Sequence, residues 1–147
     1  MTVPIIKQVP LESVGGKILF AGTDGKFYSA KGRELKPGFC PGMQNHKGGS
    51  AYPIMNNFKS RPCHLLIYET FVGPRTPGME IDHLNGNKMD WSLANLEEVT
   101  PEENRKRAKI LRILRSIGRE PRKMSREELQ AIFAKYTFTN PQTIEQL

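Results

Sequence analysis

The sequence is poor in cysteine, aromatic side chains and long apolar runs, and each shortage argues against a class of protein. It has two cysteines in 147 residues, Cys40 and Cys63, which is too few for a disulfide framework, so free thiols are expected. No apolar run approaches the ~20 residues that span a bilayer. The first residues lack the basic and apolar regions of a signal peptide. A cytoplasmic protein without a membrane partner is therefore expected.

Acidic residues are also scarce in one segment. The net charge is +7, but residues 105–123 hold nine Lys or Arg and one acid, Glu120, so this segment carries +8 and the rest of the chain −1. A surplus concentrated in this way indicates an anionic partner, of which nucleic acid is the obvious one. The alternative is a solvated helix face.

Strand patterns dominate the first part of the chain. Residues 1–14 are predicted to be a loose arm, and residues 17–35 a β-hairpin around Asp24-Gly25, a dipeptide typical of hairpin turns. The Gly- and Pro-rich residues 36–50 predict a loop, and residues 51–57 a further strand. Residues 60–73 then predict a short helix with Pro62 in its first turn and Gly73 past its end.

The second part predicts two strands, "MEIDHL" (79–84) and "EEVT" (97–100), followed by helices. The first helix has Thr100 as N-cap, Pro101 at its first position and Glu103 two residues later, and Gly118 ends it. A second helix spans residues 124–136, and the remainder is expected to fray. The predicted buried stripe of the first helix recurs every three residues, at Ala108, Leu111, Leu114 and Ile117.

An aspartate and a histidine, Asp82 and His83, end the first of these strands at the turn "NGN". If the following helix packs across the strands, Asn104 in its first turn lies over Asp82, and the two side chains offer hard oxygen ligands for Mg²⁺ or a similar ion such as Mn²⁺. His83 would then take a proton from an attacking water. Adjacent strand residues point to opposite faces, so a twist or bulge is expected at 82–83.

Residues 63–107, "CHLLIYETFVGPRTPGMEIDHLNGNKMDWSLANLEEVTPEENRKR", resemble the core of an HNH endonuclease of the phage and intron-homing type. The resemblance rests on "DHLNGN", on "NL" at the expected offset and on "EN" in a capped helix. It departs from the pattern at Asp90-Trp91, where relatives often have two asparagines. Residues 24–38 more weakly resemble the small β-module that precedes such cores.

The resemblance implies a Mg²⁺-dependent DNA endonuclease that leaves 5′-phosphate and 3′-hydroxyl ends, in a bacterial or phage-infected host. It implies His83 as general base, Asp82 and Asn104 as metal ligands, and Asn95 as the residue that braces the loop and orients the histidine. Double-stranded DNA is the implied partner, with a monomeric enzyme and no small-molecule cofactor. The basic helix supplies the expected DNA-binding residues: Arg105, Lys106, Arg107, Lys109, Arg112 and Arg115.

The implied fold is α+β: a β-rich module (1–60), a ββα-metal nuclease core with the basic helix (61–117) and a helical tail (118–147). Two other functions stay open: a catalytically silent DNA-binding accessory or regulatory protein, and an RNA-directed nuclease. The RNA-directed nuclease stays open because basic side chains bind the phosphates of DNA and of RNA alike. His64 is expected to pack or to contact phosphate. A zinc site formed by Cys40, His46, Cys63 and His64 is disfavoured, because it lacks closely spaced ligand pairs.

Overall fold

A computed structural model of the chain describes residues 3–39 and 52–136. The predictions that concern Cys40, His46, most of the 36–50 loop and the last eleven residues lie outside these ranges. The described chain is α+β, as predicted, and combines antiparallel strands with three α-helices. None of the helices in the described ranges is both long and apolar enough to cross a membrane.

The described strands are two to four residues long, and the α-helices span nine to sixteen residues. The strands are β1 (Ile6–Gln8), β2 (Phe20–Gly22), β3 (Phe27–Tyr28), β4 (Glu34–Leu35), β5 (Gly38–Phe39), β6 (Pro53–Met55), β7 (Arg61–Pro62), β8 (Glu80–His83) and β9 (Leu96–Val99). The helices are α1 (Cys63–Phe71), α2 (Pro101–Ser116) and α3 (Arg126–Tyr136), and 3₁₀ turns cover Leu11–Val14, Leu93–Asn95 and Pro121–Lys123.

The chain divides into two compact units. The first contains Met1–Arg75 and Lys88–Leu96, and the second contains Thr76–Asn87 and Glu97–Leu147. In the first unit β1 to β4 form an antiparallel sheet in sequence order, and β5 to β7 form a second one. The pair β8–β9 and the helices α2 and α3 belong to the second unit, apart from Leu96 at the edge of β9.

Two segments of the first unit differ from the sequence expectation. Residues 6–8 of the predicted loose arm form strand β1, which pairs with β2 in the register Ile6↔Gly22. Gly38 and Phe39, predicted as loop, form β5 against β6. Both segments lack an alternating apolar pattern of their own, so the pairing partner rather than the local sequence determines their extended structure.

The predicted hairpin at Asp24-Gly25 is confirmed, and it holds the chain that follows β8. Gly25 has a φ of +90°, a conformation that glycine adopts without strain. The indole nitrogen of Trp91 donates a 2.6 Å hydrogen bond to the Gly25 carbonyl, and a Cβ on Gly25 would lie 2.9 Å from the Trp91 ring. The Asp90-Trp91 departure from the HNH pattern therefore has a structural role, since the tryptophan anchors its loop on the hairpin.

Helix α2 begins as predicted, but its buried face is rotated. The Thr100 hydroxyl accepts a 3.0 Å hydrogen bond from the Glu103 amide, and Pro101 occupies the first turn. Ala108 and Ile117 are exposed, so the predicted stripe is wrong at both ends; the buried residues are Arg107, Ile110, Leu111 and Leu114. A three-residue repeat drifts about 60° at each step around an α-helix, so four members cannot share one face.

Helix α3 completes the core of the second unit. Ser125 caps its first turn, because its hydroxyl accepts a 3.1 Å hydrogen bond from the Glu128 amide. Leu129, Phe133 and Tyr136 of α3 pack with Leu84 and with the apolar residues of α2 in one cluster. Leu84 follows β8 directly, so this cluster holds α2 and α3 against the end of the strand that carries Asp82 and His83.

Candidate active site

The strand β8 presents acidic side chains to helix α2. Side chains alternate along a strand, so Glu80 and Asp82 share a face, and both contact α2: Glu80 bonds Asn104 and Asp82 bonds Arg107. Asn104 and Arg107 are three residues apart and therefore neighbours on one helix face. The expected strand-to-helix packing is present, although the helix residue over Asp82 is Arg107 rather than Asn104.

Asn104 is oriented by Glu80. Its side-chain nitrogen Nδ2 donates a 2.5 Å hydrogen bond to Oε2 of Glu80. An ionised carboxylate only accepts hydrogen bonds, so it can bind the amide nitrogen and not the amide oxygen. The contact therefore fixes the direction of the amide and leaves Oδ1 of Asn104 as the oxygen that can serve as a metal ligand.

Asp82 is held by Arg107. Nη1 of Arg107 donates a 3.3 Å hydrogen bond to Oδ2 of Asp82, and both side chains are almost completely buried, with 8% and 10% of their surfaces exposed. Arg107 uses only one carboxylate oxygen, Oδ2, so Oδ1 is the Asp82 atom that can serve as a metal ligand. Both candidate metal ligands thus keep one oxygen available while the other terminal atom is held in place.

The Arg107 guanidinium is shared among three carboxylates. Nη1 also lies 3.1 Å from Oε2 of Glu97 on β9, and Nε lies 3.0 Å from Oε1 of Glu103. On the α3 side, the guanidinium carbon lies 4.6 Å from the centre of the Phe133 ring, a cation–π distance. With all three acids ionised, three negative charges surround one positive charge, and the surroundings of Asp82 favour a further cation.

The electrostatics of Asp82 follow from this burial. Loss of solvent raises the pKa of Asp82 above its ordinary value, the Arg107 guanidinium opposes the rise, and the carboxylates of Glu97 and Glu103 add to it. A buried carboxylate disfavours its charged form unless a cation lies beside it. Arg107 is the cation that the chain itself supplies.

His83 is the last residue of β8, and the turn closes directly on it. The Gly86 amide donates a 2.8 Å hydrogen bond to the His83 carbonyl, and Oδ1 of Asn85 accepts a 2.8 Å hydrogen bond from the Asn87 amide. The imidazole is buried, with 5% of the residue exposed, and no described atom hydrogen-bonds its Nε2. Strand alternation directs this side chain to the face opposite Asp82.

Gly86 in this turn has a close neighbour on α2. Its φ is +75°, and a Cβ there would lie 2.7 Å from Nη2 of Arg115 and 3.0 Å from Cδ1 of Leu111. The Arg115 guanidinium therefore lies against the turn that follows His83. Arg115 is thus a predicted DNA-binding residue that lies beside the turn after His83.

The remaining basic residues of α2 differ in their exposure and in their ion pairs. Arg105, Lys109 and Arg112 are exposed and recur at i, i+4 and i+7, which places them on one face of the helix. Lys106 is half-buried and pairs with Glu102 at 3.5 Å. Arg107 differs from the others because it is buried among carboxylates, and its contact with DNA stays a prediction.

Asn95 belongs to the first unit, in the loop anchored by Trp91. Its Nδ2 donates a 2.9 Å hydrogen bond to the Asp90 carbonyl, and the Asp90 carboxylate accepts hydrogen bonds from the Ser92 amide and hydroxyl at 3.3 and 2.7 Å. The asparagine therefore links both ends of the 90–95 loop. A role in orienting His83 stays a prediction.

Of the alternative zinc ligands, Cys63 and His64 lie in the described residues, and both have structural roles within the first unit. Cys63 is buried in the apolar core at the start of α1, and loss of solvent raises the pKa of its thiol to about 12, which disfavours the thiolate that binds metal. His64 packs against Tyr52 with ring centres 4.9 Å apart. Across residues 3–39 and 52–136, no group of three or more His, Cys, Asp or Glu side chains is arranged to hold a metal ion.

The oxygen donors of Asp82 and Asn104 fit a hard divalent cation. A carboxylate and an amide oxygen are ligands that Mg²⁺ accepts while it keeps several waters and takes other ligands from phosphate. Such a site has fewer protein ligands than a closed metal site, consistent with the lack of a larger ligand cluster among the described residues. Mn²⁺ takes the same ligands.

The residues that hold these ligands were not predicted from the sequence. Glu80 precedes Asp82 by two positions and Arg107 follows Asn104 by three, so the strand and helix periods place each beside a predicted ligand. That periodicity was available from the sequence for Glu80. For Arg107 it was obscured, because the residue lies in a run of basic side chains that indicates a solvated or DNA-facing surface.

Comparison with known proteins agrees with this geometry. No curated protein and no solved structure matches the chain. Residues 61–106 match a family model described as HNH endonuclease, and this range contains Asp82, His83, Asn95 and Asn104. A nuclease domain of this family implies a nucleic-acid substrate. On this match, and on the pair of strands and the helix that bring Asp82 and Asn104 to one interface, residues 61–106 form an HNH endonuclease domain.

Proposed function

We propose that the chain is a divalent-metal-dependent DNA endonuclease that hydrolyses phosphodiester bonds, of the phage and intron-homing type. The observation that carries this proposal is the paired arrangement of Asp82 and Asn104 at the β8–α2 interface. Each side chain is held through one terminal atom, Oδ2 or Nδ2, and keeps one oxygen for another ligand. Oxygen donors held in this way suit a hard divalent cation.

In the proposed site, Oδ1 of Asp82 and Oδ1 of Asn104 hold Mg²⁺ or Mn²⁺. The bound ion supplies charge stabilisation for the transition state of phosphodiester hydrolysis. Asp82 contributes the negative charge of the ligand pair, and Asn104 contributes a neutral oxygen whose direction Glu80 determines. Arg107 limits the movement of the Asp82 carboxylate.

His83 serves as the general base of the proposed reaction and removes a proton from the attacking water through its imidazole. A neutral imidazole suits that task at neutral pH. His83 lies at the end of β8, directly before a turn containing Gly86, and the proposal requires a twist at this strand end that brings Asp82 and His83 to one phosphate. Asn95 braces the 90–95 loop through its bond to Asp90.

The proposed DNA-binding surface is the exposed face of α2 formed by Arg105, Lys109 and Arg112, with Arg115 beside the turn after His83. Lys106 lies at its margin. Lys and Arg side chains along one face of a helix neutralise successive phosphates without reading the base sequence. The binding surface and the metal-binding interface then belong to the same helix.

A plasmid-nicking assay tests the function. With supercoiled DNA and Mg²⁺, the wild-type chain is expected to produce nicked or linear products with 5′-phosphate and 3′-hydroxyl ends, and chelation is expected to stop the reaction. His83→Ala is expected to lower the rate about 10²–10⁴-fold, the typical contribution of general acid–base catalysis, with DNA binding retained. Asp82→Ala is expected to lower both the rate and the metal dependence.

Four outcomes would contradict the proposal. Cleavage by His83→Ala at the wild-type rate would remove His83 from the mechanism, and cleavage by Asp82→Ala with an unchanged metal requirement would place the ion elsewhere. DNA binding without cleavage by the wild-type chain under any divalent metal would support the accessory protein instead. Faster cleavage of a matched RNA duplex would support the RNA-directed nuclease.

A further inference from the structure

In the metal site of the proposed nuclease, Glu80 and Arg107 contact the metal ligands but are not ligands themselves. The four residues form a reciprocal pattern: a strand residue, Glu80, bonds the helix ligand Asn104, and a helix residue, Arg107, bonds the strand ligand Asp82. Each contact lies between β8 and α2, within the second unit of the chain.

Each contact engages the atom that a metal ion would not use. Glu80 accepts from Nδ2 of Asn104, and an amide nitrogen is not a ligand for a hard cation. Arg107 donates to Oδ2 of Asp82 and leaves Oδ1 for the ion. The two contacts therefore direct one oxygen from the strand and one from the helix, and neither competes for the metal position.

Arg107 is itself held by residues outside the matched family segment. Phe133 of α3 lies under its guanidinium at 4.6 Å, and Gln130 of α3 donates a 3.4 Å hydrogen bond to Glu97, which also bonds Arg107. Two of the three carboxylates around the guanidinium, Glu97 and Glu103, have no proposed catalytic task. Their bonds direct Arg107 toward Asp82, so α3 extends the supporting structure of the site beyond residue 106.

Resting on the proposed function, we propose that Glu80 and Arg107 are positioning residues for the metal site, Glu80 by fixing the amide direction of Asn104 and Arg107 by fixing the carboxylate of Asp82. Residues that orient metal ligands in this way typically change metal affinity or activity about 10–100-fold when they are replaced. The effect falls on metal affinity first, because the ligands themselves remain.

Two substitutions weaken the proposed positioning contacts while both metal ligands remain, and a third controls for the change in charge. Glu80→Gln keeps the size of the side chain, but its amide nitrogen can donate to Oδ1 of Asn104, so the Asn104 amide no longer has one preferred direction. Arg107→Lys keeps the positive charge but loses the planar fork that reaches several carboxylates at once. Glu102→Gln is the matched control, since it removes one negative charge from the same end of α2 at an exposed position.

The measurement is Mn²⁺ binding to the full chain without DNA, followed by the loss of the free-ion electron paramagnetic resonance signal, with thermal melts in the absence of metal as a folding control. Glu80→Gln and Arg107→Lys are expected to weaken Mn²⁺ binding about 10–100-fold, and Glu102→Gln to bind as wild type. Raising the Mn²⁺ concentration is expected to restore the nicking rate of the two positioning variants, but not that of Asp82→Asn, which lacks a charged ligand.

Wild-type Mn²⁺ affinity in Glu80→Gln would overturn the proposal, as would a nicking rate that saturating Mn²⁺ does not restore in a folded variant. If Arg107→Lys does not fold, Glu80→Gln decides the question, because it breaks no ion pair of Arg107. Asp82→Asn distinguishes failure of the metal assignment from failure of the positioning roles. If it also binds Mn²⁺ as wild type, the metal assignment of the proposed function is wrong; if it alone loses binding, only the positioning roles are wrong.

Discussion

Arg107 shows how a charged residue comes to occupy an apolar position of an amphipathic helix. It lies on the buried face of α2 with Ile110, Leu111 and Leu114, where a leucine would ordinarily pack. Its aliphatic stem and planar head tolerate this position because three carboxylates and an aromatic ring enclose the guanidinium. The residue therefore contributes to stability as well as to the geometry of Asp82.

Replacing Arg107 with methionine should expose this contribution. Methionine fills a similar volume, but it leaves Asp82, Glu97 and Glu103 without their shared cation, and breaking a buried ion pair in this way typically costs about 3–5 kcal/mol. Urea unfolding at neutral pH measures the loss of the free energy of unfolding.

Arg112→Met is the control, because Arg112 is exposed on the same helix and surface substitutions usually change stability by no more than about 0.5 kcal/mol. Equal stability of the two variants would mean that the carboxylates around Arg107 find other partners.

Cys63 gives a second test at the scale of one residue. Its thiol is completely buried, and this burial raises its pKa to about 12. At pH 8 only about one thiol in 10⁴ is then ionised, and the thiolate is the reactive form. In a Cys40→Ser background, folded protein is expected to resist a thiol-specific disulfide reagent at pH 8, whereas protein unfolded in guanidinium chloride reacts at once. Rapid labelling of the folded chain would show that α1 opens or that the core is looser than described.

At the scale of elements, helix α2 performs three tasks, two on its buried side and one on its exposed face. Ile110, Leu111 and Leu114 pack in the core with α3 and Leu84, Asn104 and Arg107 contact β8, and Arg105, Lys109 and Arg112 are exposed. A helix with 3.6 residues per turn can separate these tasks within 16 residues. A substitution on the exposed face should therefore change DNA affinity without changing the metal ligands.

The double variant Arg105→Gln/Arg112→Gln tests this separation. Each phosphate neutralised adds about −0.9 to the slope of log K against log salt, so the loss of two contacts should make the slope shallower by up to ~1.8. Binding should weaken equally on unrelated DNA sequences, with the cleavage rate at saturating DNA nearly unchanged. Fluorescence anisotropy at several salt concentrations measures the slope.

Lys31→Gln/Arg33→Gln is the matched control, since it removes the same charge from an exposed turn of the first unit. An equal loss of slope in this control would mean that net charge rather than the α2 face governs binding. A large fall in the saturated rate of the α2 variant would mean that Arg105 or Arg112 positions the scissile phosphate.

At the scale of the whole molecule, the family match and the compact units do not coincide. The matched residues 61–106 begin in the first unit with α1 and end in the second with the first turn of α2. Within the first unit, Trp91 of the matched segment is fixed by Gly25 of the hairpin. Within the second, Arg107 is fixed by Phe133 of α3. The structural support of the nuclease domain therefore extends on both sides of the matched segment.

Features that depend on neighbouring residues in the sequence were predictable. Thr100, Pro101 and Glu103 define the start of α2 through one local hydrogen bond, and Asp24-Gly25 defines a hairpin through the freedom of glycine at positive φ. The order of Asp82, His83, Asn95 and Asn104 predicted an HNH domain, which the family match confirms over residues 61–106. Each of these features depends on residues within a short stretch of the sequence, so no long-range contact is needed to recognise it.

Only the tertiary structure decided which strands pair and which side of each helix is buried. Strand β1 exists because β2 provides its hydrogen-bonding partner, and the rotation of α2 follows from the core that it shares with α3. That rotation turns Arg107 away from solvent and toward Asp82, and brings Glu80 to Asn104. The sequence determined which residues can bind a metal ion and nucleic acid, whereas the packing of α2 decided which of them face each other, because the burial of a side chain depends on every element around it.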